Sequence, residues 1–114
     1  MTTLAQFKKD LRIDDVIETI SVKNDHINHK GVLIDMPIPE KLQGERKVSY
    51  INTTGFYLKP CSDFTDKKGS FCGYPKASNL IYDGDTFIIQ DNDDGRIWGE
   101  RIYKKLYNRN DIPN

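Results

Sequence analysis

Four side chains suited to metal binding or nucleophilic attack stand in this chain: His26, His29, Cys61 and Cys72. Zinc accepts two imidazole nitrogens and two thiolates in a tetrahedral set. The cysteines, however, are spaced far wider than the C-x-x-C pairs that mark such sites. His26 and His29 lie in the polar run Asn24–Gly31, where a His-x-x-His pair reads as two solvated rings. A cysteine nucleophile would need a basic partner and an activating environment. Neither cysteine falls in a strand-to-helix turn or near a glycine nest. The acidic run Asp91-Asn92-Asp93-Asp94-Gly95 resembles a calcium loop, but with Gly95 in the sixth position the first ligand is Gln90 and the twelfth Arg101. It reads as a solvated turn. Phosphate-cradling glycine loops, nucleotide fingerprints and spaced acid–base pairs are lacking. The expectation is a non-enzyme with no metal and no cofactor.

Charge patterning points to binding. The 17 basic and 17 acidic residues cancel, so no global field steers the chain toward nucleic acid or membrane. The cancellation hides an asymmetry. Residues 83–94 carry Asp83, Asp85, Asp91, Asp93 and Asp94 and no base. Residues 96–109 carry Arg96, Arg101, Lys104, Lys105 and Arg109 against Glu100 alone. On an extended strand Arg101, Tyr103, Lys105, Tyr107 and Arg109 fall on one side. Basic residues interleaved with aromatics hold phosphates and stack on bases. They equally suit an acidic protein surface, or form a solvated face. Tyr57 and Lys59 after the Gly55 bend, and Lys67 and Lys68 at a polar loop tip, complete the candidate partner-binding set.

The elements that must position these residues are short. Leu4, Phe7 and Leu11 recur at helical spacing behind a Thr3-to-Gln6 capping box, predicting a helix over about 3–11. Val16, Ile20 and Val22 share one parity and predict a strand over about 16–23. Residues 32–36 form a second strand, stopped by Pro37 and Pro39. The longest extended signal is 46–59, with Val48, Tyr50, Phe56 and Leu58 on one face and Ser49, Ile51, Tyr57 and Lys59 on the other. Gly55 within it suggests a bulge or bend. Residues 61–73 are irregular. The stretch from Phe71 to Ile89 holds a Pro75 turn, one helical turn at 76–79 and the tight Asp83-Gly84-Asp85 turn, and sends Leu80, Tyr82 and Phe87 to the core. Strands follow over about 86–90 and 96–106. The sequon Asn52-Thr53-Thr54 falls inside a predicted strand and should carry no sugar.

These elements predict a single α+β domain, with the N-terminal helix on a strongly bent five-stranded antiparallel sheet or small barrel. Hydrophobic residues at 37% allow only a thin core, so the aromatic side chains must supply much of its area. MTTLAQFKKDLR lacks an apolar signal region and no run matches a membrane span. The expected setting is cytoplasmic, with reduced thiols and no membrane partner. The expected state is a monomer or an edge-paired dimer.

FKKDLRIDDVIE, RKVSYINTTGFYLK, YPKASNLIYDGDTFII and GERIYKKL, in that order, resemble small accessory proteins carried by phages, plasmids and other mobile elements of Gram-positive bacteria. The resemblance implies a non-catalytic inhibitor or modulator of a host protein, such as a defence nuclease, of the anti-restriction or anti-CRISPR kind. The implied partner is a protein; from the residues themselves, direct nucleic-acid binding through the basic, aromatic last strand and a small metal- or cysteine-dependent enzyme are the alternatives.

Overall fold

The computed structural model describes residues 3–27 and 30–111. One helix, α1 (Thr3–Asp10), precedes eight strands: β1 (Asp15–Asn24), β2 (Ile34–Met36), β3 (Glu45–Ile51), β4 (Gly55–Pro60), β5 (Ser70–Gly73), β6 (Leu80–Tyr82), β7 (Thr86–Asp93) and β8 (Arg96–Asn108). All strands join one antiparallel sheet of order β5-β4-β3-β1-β8-β7-β6, with β2 paired to β1. The α+β class holds, but the sheet has eight strands rather than five and does not close into a barrel. Its edges are β5 and β6, and such short edges limit pairing with other chains. Among the described residues no helix is long and apolar enough to cross a membrane.

Turn chemistry explains most of the added strands. The predicted strand over 46–59 is a hairpin, β3–β4. Asn52 Oδ1 accepts from Thr54 N at 2.9 Å, Thr54 Oγ1 at 2.8 Å and Gly55 N at 3.0 Å, an Asx turn that reverses the chain. The sequon asparagine thus lies in a turn. Gly55 is needed for close approach: a Cβ there would lie 2.3 Å from the Cys72 carbonyl oxygen on β5. Asp83 Oδ1 closes the β6–β7 turn by accepting from Asp85 N and Thr86 N. Asp94 and Gly95, both at positive φ, make the β7–β8 turn.

Two register shifts on β1 overturn the simple alternation read from its sequence. One, between Thr19 and Ser21, leaves Ile20 out of the ladder and exposed. The other, between Val16 and Ile17, leaves Leu106 of β8 unpaired. Ile17 enters the main core, while its neighbour Val16, also buried, lies on the opposite sheet face.

That core gathers around Phe7, which is fully buried. Its ring meets Phe87 at 4.7 Å between centroids, Tyr82 at 5.2 Å, Phe56 at 6.0 Å and Tyr74 at 6.4 Å. Mostly edge-on and tilted pairs at these spacings match the quadrupole preference of aromatic rings. Leu11, Ile17, Val48, Leu58, Leu80 and Ile89 complete the cluster. The helix covers this inner face of the sheet. A 2.6 Å hydrogen bond from the Tyr82 hydroxyl to Asp10 Oδ2 ties its last turn to β6.

Candidate functional site

The outer face of β3, β4 and β5 collects most of the unusual surface. Tyr50, Tyr57 and Phe71 are lateral neighbours on the three strands, paired Tyr50 to Tyr57 and Tyr57 to Phe71. Their centroids are 5.8 Å and 5.0 Å apart. A register shift between Val48 and Tyr50 sets this row. Ser49 is the extra residue, and it turns Tyr50 outward and Ile51 toward the core. The sequence parity put Tyr50 with Val48, so this is a correction. Tyr50 and Phe71 remain exposed. The Lys68 ammonium lies 4.1 Å from the Tyr50 centroid and 5.8 Å from that of Tyr57, within cation–π range.

Residues 61–69 fold back over the same face. The Lys59 ammonium donates to Thr65 O at 2.6 Å and stands 4.0 Å from Asp63. Ser49 Oγ donates to the Lys68 carbonyl. Arg109 Nη1 donates to the Cys61 carbonyl at 2.9 Å. Asp63 Oδ1 caps the loop's own turn by accepting from Thr65 N and Oγ1. Those bonds, with the nearby Lys59 and Lys47 charges, lower the Asp63 pKa. Phe64 sits outermost, 76% exposed, between the Lys47 ammonium at 4.5 Å and the Arg109 guanidinium at 5.6 Å. Beneath the loop lies a cavity of about 290 Å³ lined by Lys47, Lys59, Lys67 and Lys68 with Ser49 and Thr65, and by Ile13, Asp14 and Asp66. Lys47 and Lys59 are each only 8% exposed. Lys59 is therefore part of a floor, not the open surface residue read from the sequence.

Of the residues selected from the sequence, the fold brings Tyr57, Lys59, Lys67, Lys68 and Arg109 together here. It does not bring Arg101, Tyr103 and Lys105. Those three lie on the inner face, and the unpaired Leu106 breaks the alternation of β8 before Arg109. Tyr103 is 2% exposed and stacks on Phe87 at 4.9 Å. Arg101 donates to the Tyr103 hydroxyl and to Asp91 Oδ1, both at 3.2 Å. Lys105 donates to the Tyr82 hydroxyl and borders a second cavity of about 230 Å³ with Asp10, Arg12, Asp15 and Asn108. The charge asymmetry of the sequence is thus partly spent internally. Asp91 pairs with Arg101, and Arg96 of the basic run pairs with buried Asp25.

Sequence reasoning missed Tyr50, Phe64, Phe71 and Lys47 as site residues. Phe71 belongs to a four-residue strand too short to show a period, and Tyr50 depends on the Ser49 bulge.

Among the described residues the metal and thiol candidates do not converge. His26 stacks on Trp98 at 5.2 Å, at the end of the sheet where β1 meets the start of β8, and His29 lies outside the described residues. Cys72 faces the core while Cys61 opens the outer loop. Among the described residues both cysteines are free, and no group of three metal-binding side chains occurs. Burial pushes the Cys72 thiol up in pKa, opposed by the charges of Arg101 and Arg46. Arg46, itself buried, donates to Thr19 Oγ1 at 3.3 Å.

Protein-family models, curated proteins and solved structures yield no match to this chain.

Proposed function

We propose that the chain is a non-catalytic macromolecule-binding protein whose outer face of β3–β5 holds a single strand of nucleic acid. The observation that carries this reading is the lateral row Tyr50–Tyr57–Phe71, with a lysine ammonium on two of its rings. Aromatic faces on a sheet stack successive bases whatever their sequence, at about 1–3 kcal/mol per base. Lysines beside them neutralise the phosphates. Lysine is depleted at protein–protein interfaces, so a face that presents Lys67 and Lys68 suits a polyanion better.

A titration of a fluorescently labelled single-stranded oligonucleotide at low salt tests the reading. The wild-type chain should bind. Tyr57→Ala or Phe71→Ala should weaken binding about tenfold, the equivalent of one lost stack, with unchanged thermal stability. Absence of wild-type binding at low salt would defeat the proposal.

A protein partner is the second reading, in line with the inhibitor role that the sequence resemblance implies. Phe64 favours it, since an apolar ring exposed at the tip of a held loop is the kind of anchor that fills a partner's pocket. Retention of a nucleic-acid-processing complex by the wild-type chain, lost in Phe64→Ser while oligonucleotide binding persists, would select it.

A further inference from the structure

We infer that the cavity beneath residues 61–69 takes a terminal phosphate monoester, so that the outer face binds the end of a nucleic-acid strand. This rests on the strand-binding reading and adds a polarity to it.

The loop is fastened to the sheet at three points: Lys59 to the Thr65 carbonyl, Ser49 to the Lys68 carbonyl and Arg109 to the Cys61 carbonyl. The loop so held walls the cavity on one side, and a chain end can enter from its open mouth. The cavity, about 290 Å³, is at the small limit of ligand pockets at roughly 300 Å³. It has room for a phosphate group at the end of a chain.

The lining also favours a monoester. The lining residues include four lysines, Lys47, Lys59, Lys67 and Lys68, against two acids, Asp14 and Asp66. Lys59 is committed to the roof, and Asp14 accepts a hydrogen bond from Asn110 Nδ2 at 3.2 Å. The Lys47 residue is more than nine-tenths buried, yet among the described residues its ammonium makes no hydrogen bond. Its ammonium rests on the Phe64 ring. An ammonium at the cavity wall with donors free of protein partners favours an anion brought close to it. A monoester carries about −1.5 to −2 charge near pH 7, against a single charge on an internal diester. The aromatic row begins at Tyr50, directly after Ser49, so a base attached to the seated phosphate has a ring to stack on.

Affinities should be compared for one short oligonucleotide in three forms: 5′-phosphorylated, 3′-phosphorylated and unphosphorylated. One phosphorylated form should bind about tenfold tighter than the unphosphorylated strand, the size of one charge-assisted hydrogen bond. That ratio should fall toward one in Lys47→Met and in Lys67→Met. The second variant lies on the exposed loop and guards against a folding defect in the first. Equal affinity for all three forms would overturn the inference and leave strand binding intact. A ratio that survives in both variants would overturn it as well, by removing the phosphate from this cavity. Failure of every form to bind would overturn the strand-binding reading itself.

Discussion

Lys68 serves two ends at once. Its carbonyl accepts from Ser49 and so fastens the loop, while its ammonium lies over Tyr50 and Tyr57. Arg109 works similarly, bonding the Cys61 carbonyl and standing over Phe64. Each cation thus links the held loop to an exposed ring. The acidic residues at turns have a different role, and one that pH reveals. Backbone hydrogen bonds from Thr86 and Asp85 hold Asp83 below its ordinary pKa of 3.8. The Tyr82 hydroxyl does the same for Asp10, and the Thr65 hydroxyl for Asp63. A carboxyl whose pKa is lower folded than unfolded stabilises the fold above the unfolded value, and this is lost as pH falls through the folded value. The thermal midpoint should therefore drop as pH is lowered below 3.8. Asp83→Asn keeps the turn's acceptor but not its titration, so its midpoint should fall less steeply in melts across this range. Parallel curves for wild type and variant would refute the assignment.

At the scale of elements, α1 and the loop over the outer face cap opposite sides of one sheet. Phe7 anchors the first. Phe7→Ala removes the ring around which Phe56, Tyr74, Tyr82 and Phe87 assemble, and should cost about 3–5 kcal/mol in denaturant unfolding. A cost under about 1 kcal/mol would mean that the helix is dispensable. Gly69 controls the second. It adopts φ +93°, and a Cβ would stand 2.3 Å from the Leu58 carbonyl oxygen. Gly69→Ala should cost about 1–3 kcal/mol in strain and release the loop, weakening oligonucleotide binding alongside stability. Retained affinity would place the binding surface elsewhere. Much of this architecture was legible in the chain. Leu4, Phe7 and Leu11 marked the helix, and the Asp83-Gly84-Asp85 turn was read correctly. The candidate face was half legible, because polar loop tips advertise exposed lysines such as Lys67 and Lys68. What stayed hidden depends on single-residue shifts. The Ser49 bulge reverses Tyr50, the Leu106 bulge separates Tyr103 and Lys105 from Arg109, and Asn52 cuts one long strand into two. A side chain that competes with the backbone for hydrogen bonds leaves no periodic trace, and neither does a strand of three or four residues.

At the scale of the molecule, zero net charge conceals a division of labour. Asp91 and Arg101, and Asp25 and Arg96, neutralise each other within the fold, whereas the lysines under and along residues 61–69 are concentrated around one cavity. Binding should therefore be electrostatically local. With Lys47, Lys67 and Lys68 each displacing a counterion, the logarithm of the affinity for a single strand should fall with the logarithm of salt at a slope of about −2. A slope near zero in salt titrations would contradict phosphate contact. The most direct test of the account maps the bound face. Amide chemical shifts of the isotopically labelled chain should be followed by NMR during titration with a single-stranded oligonucleotide. The account predicts shifts concentrated at Lys47, Tyr50, Tyr57, Lys67, Lys68 and Phe71. Shifts centred instead on Arg101, Lys105 and the cavity beside Asp10 would contradict it.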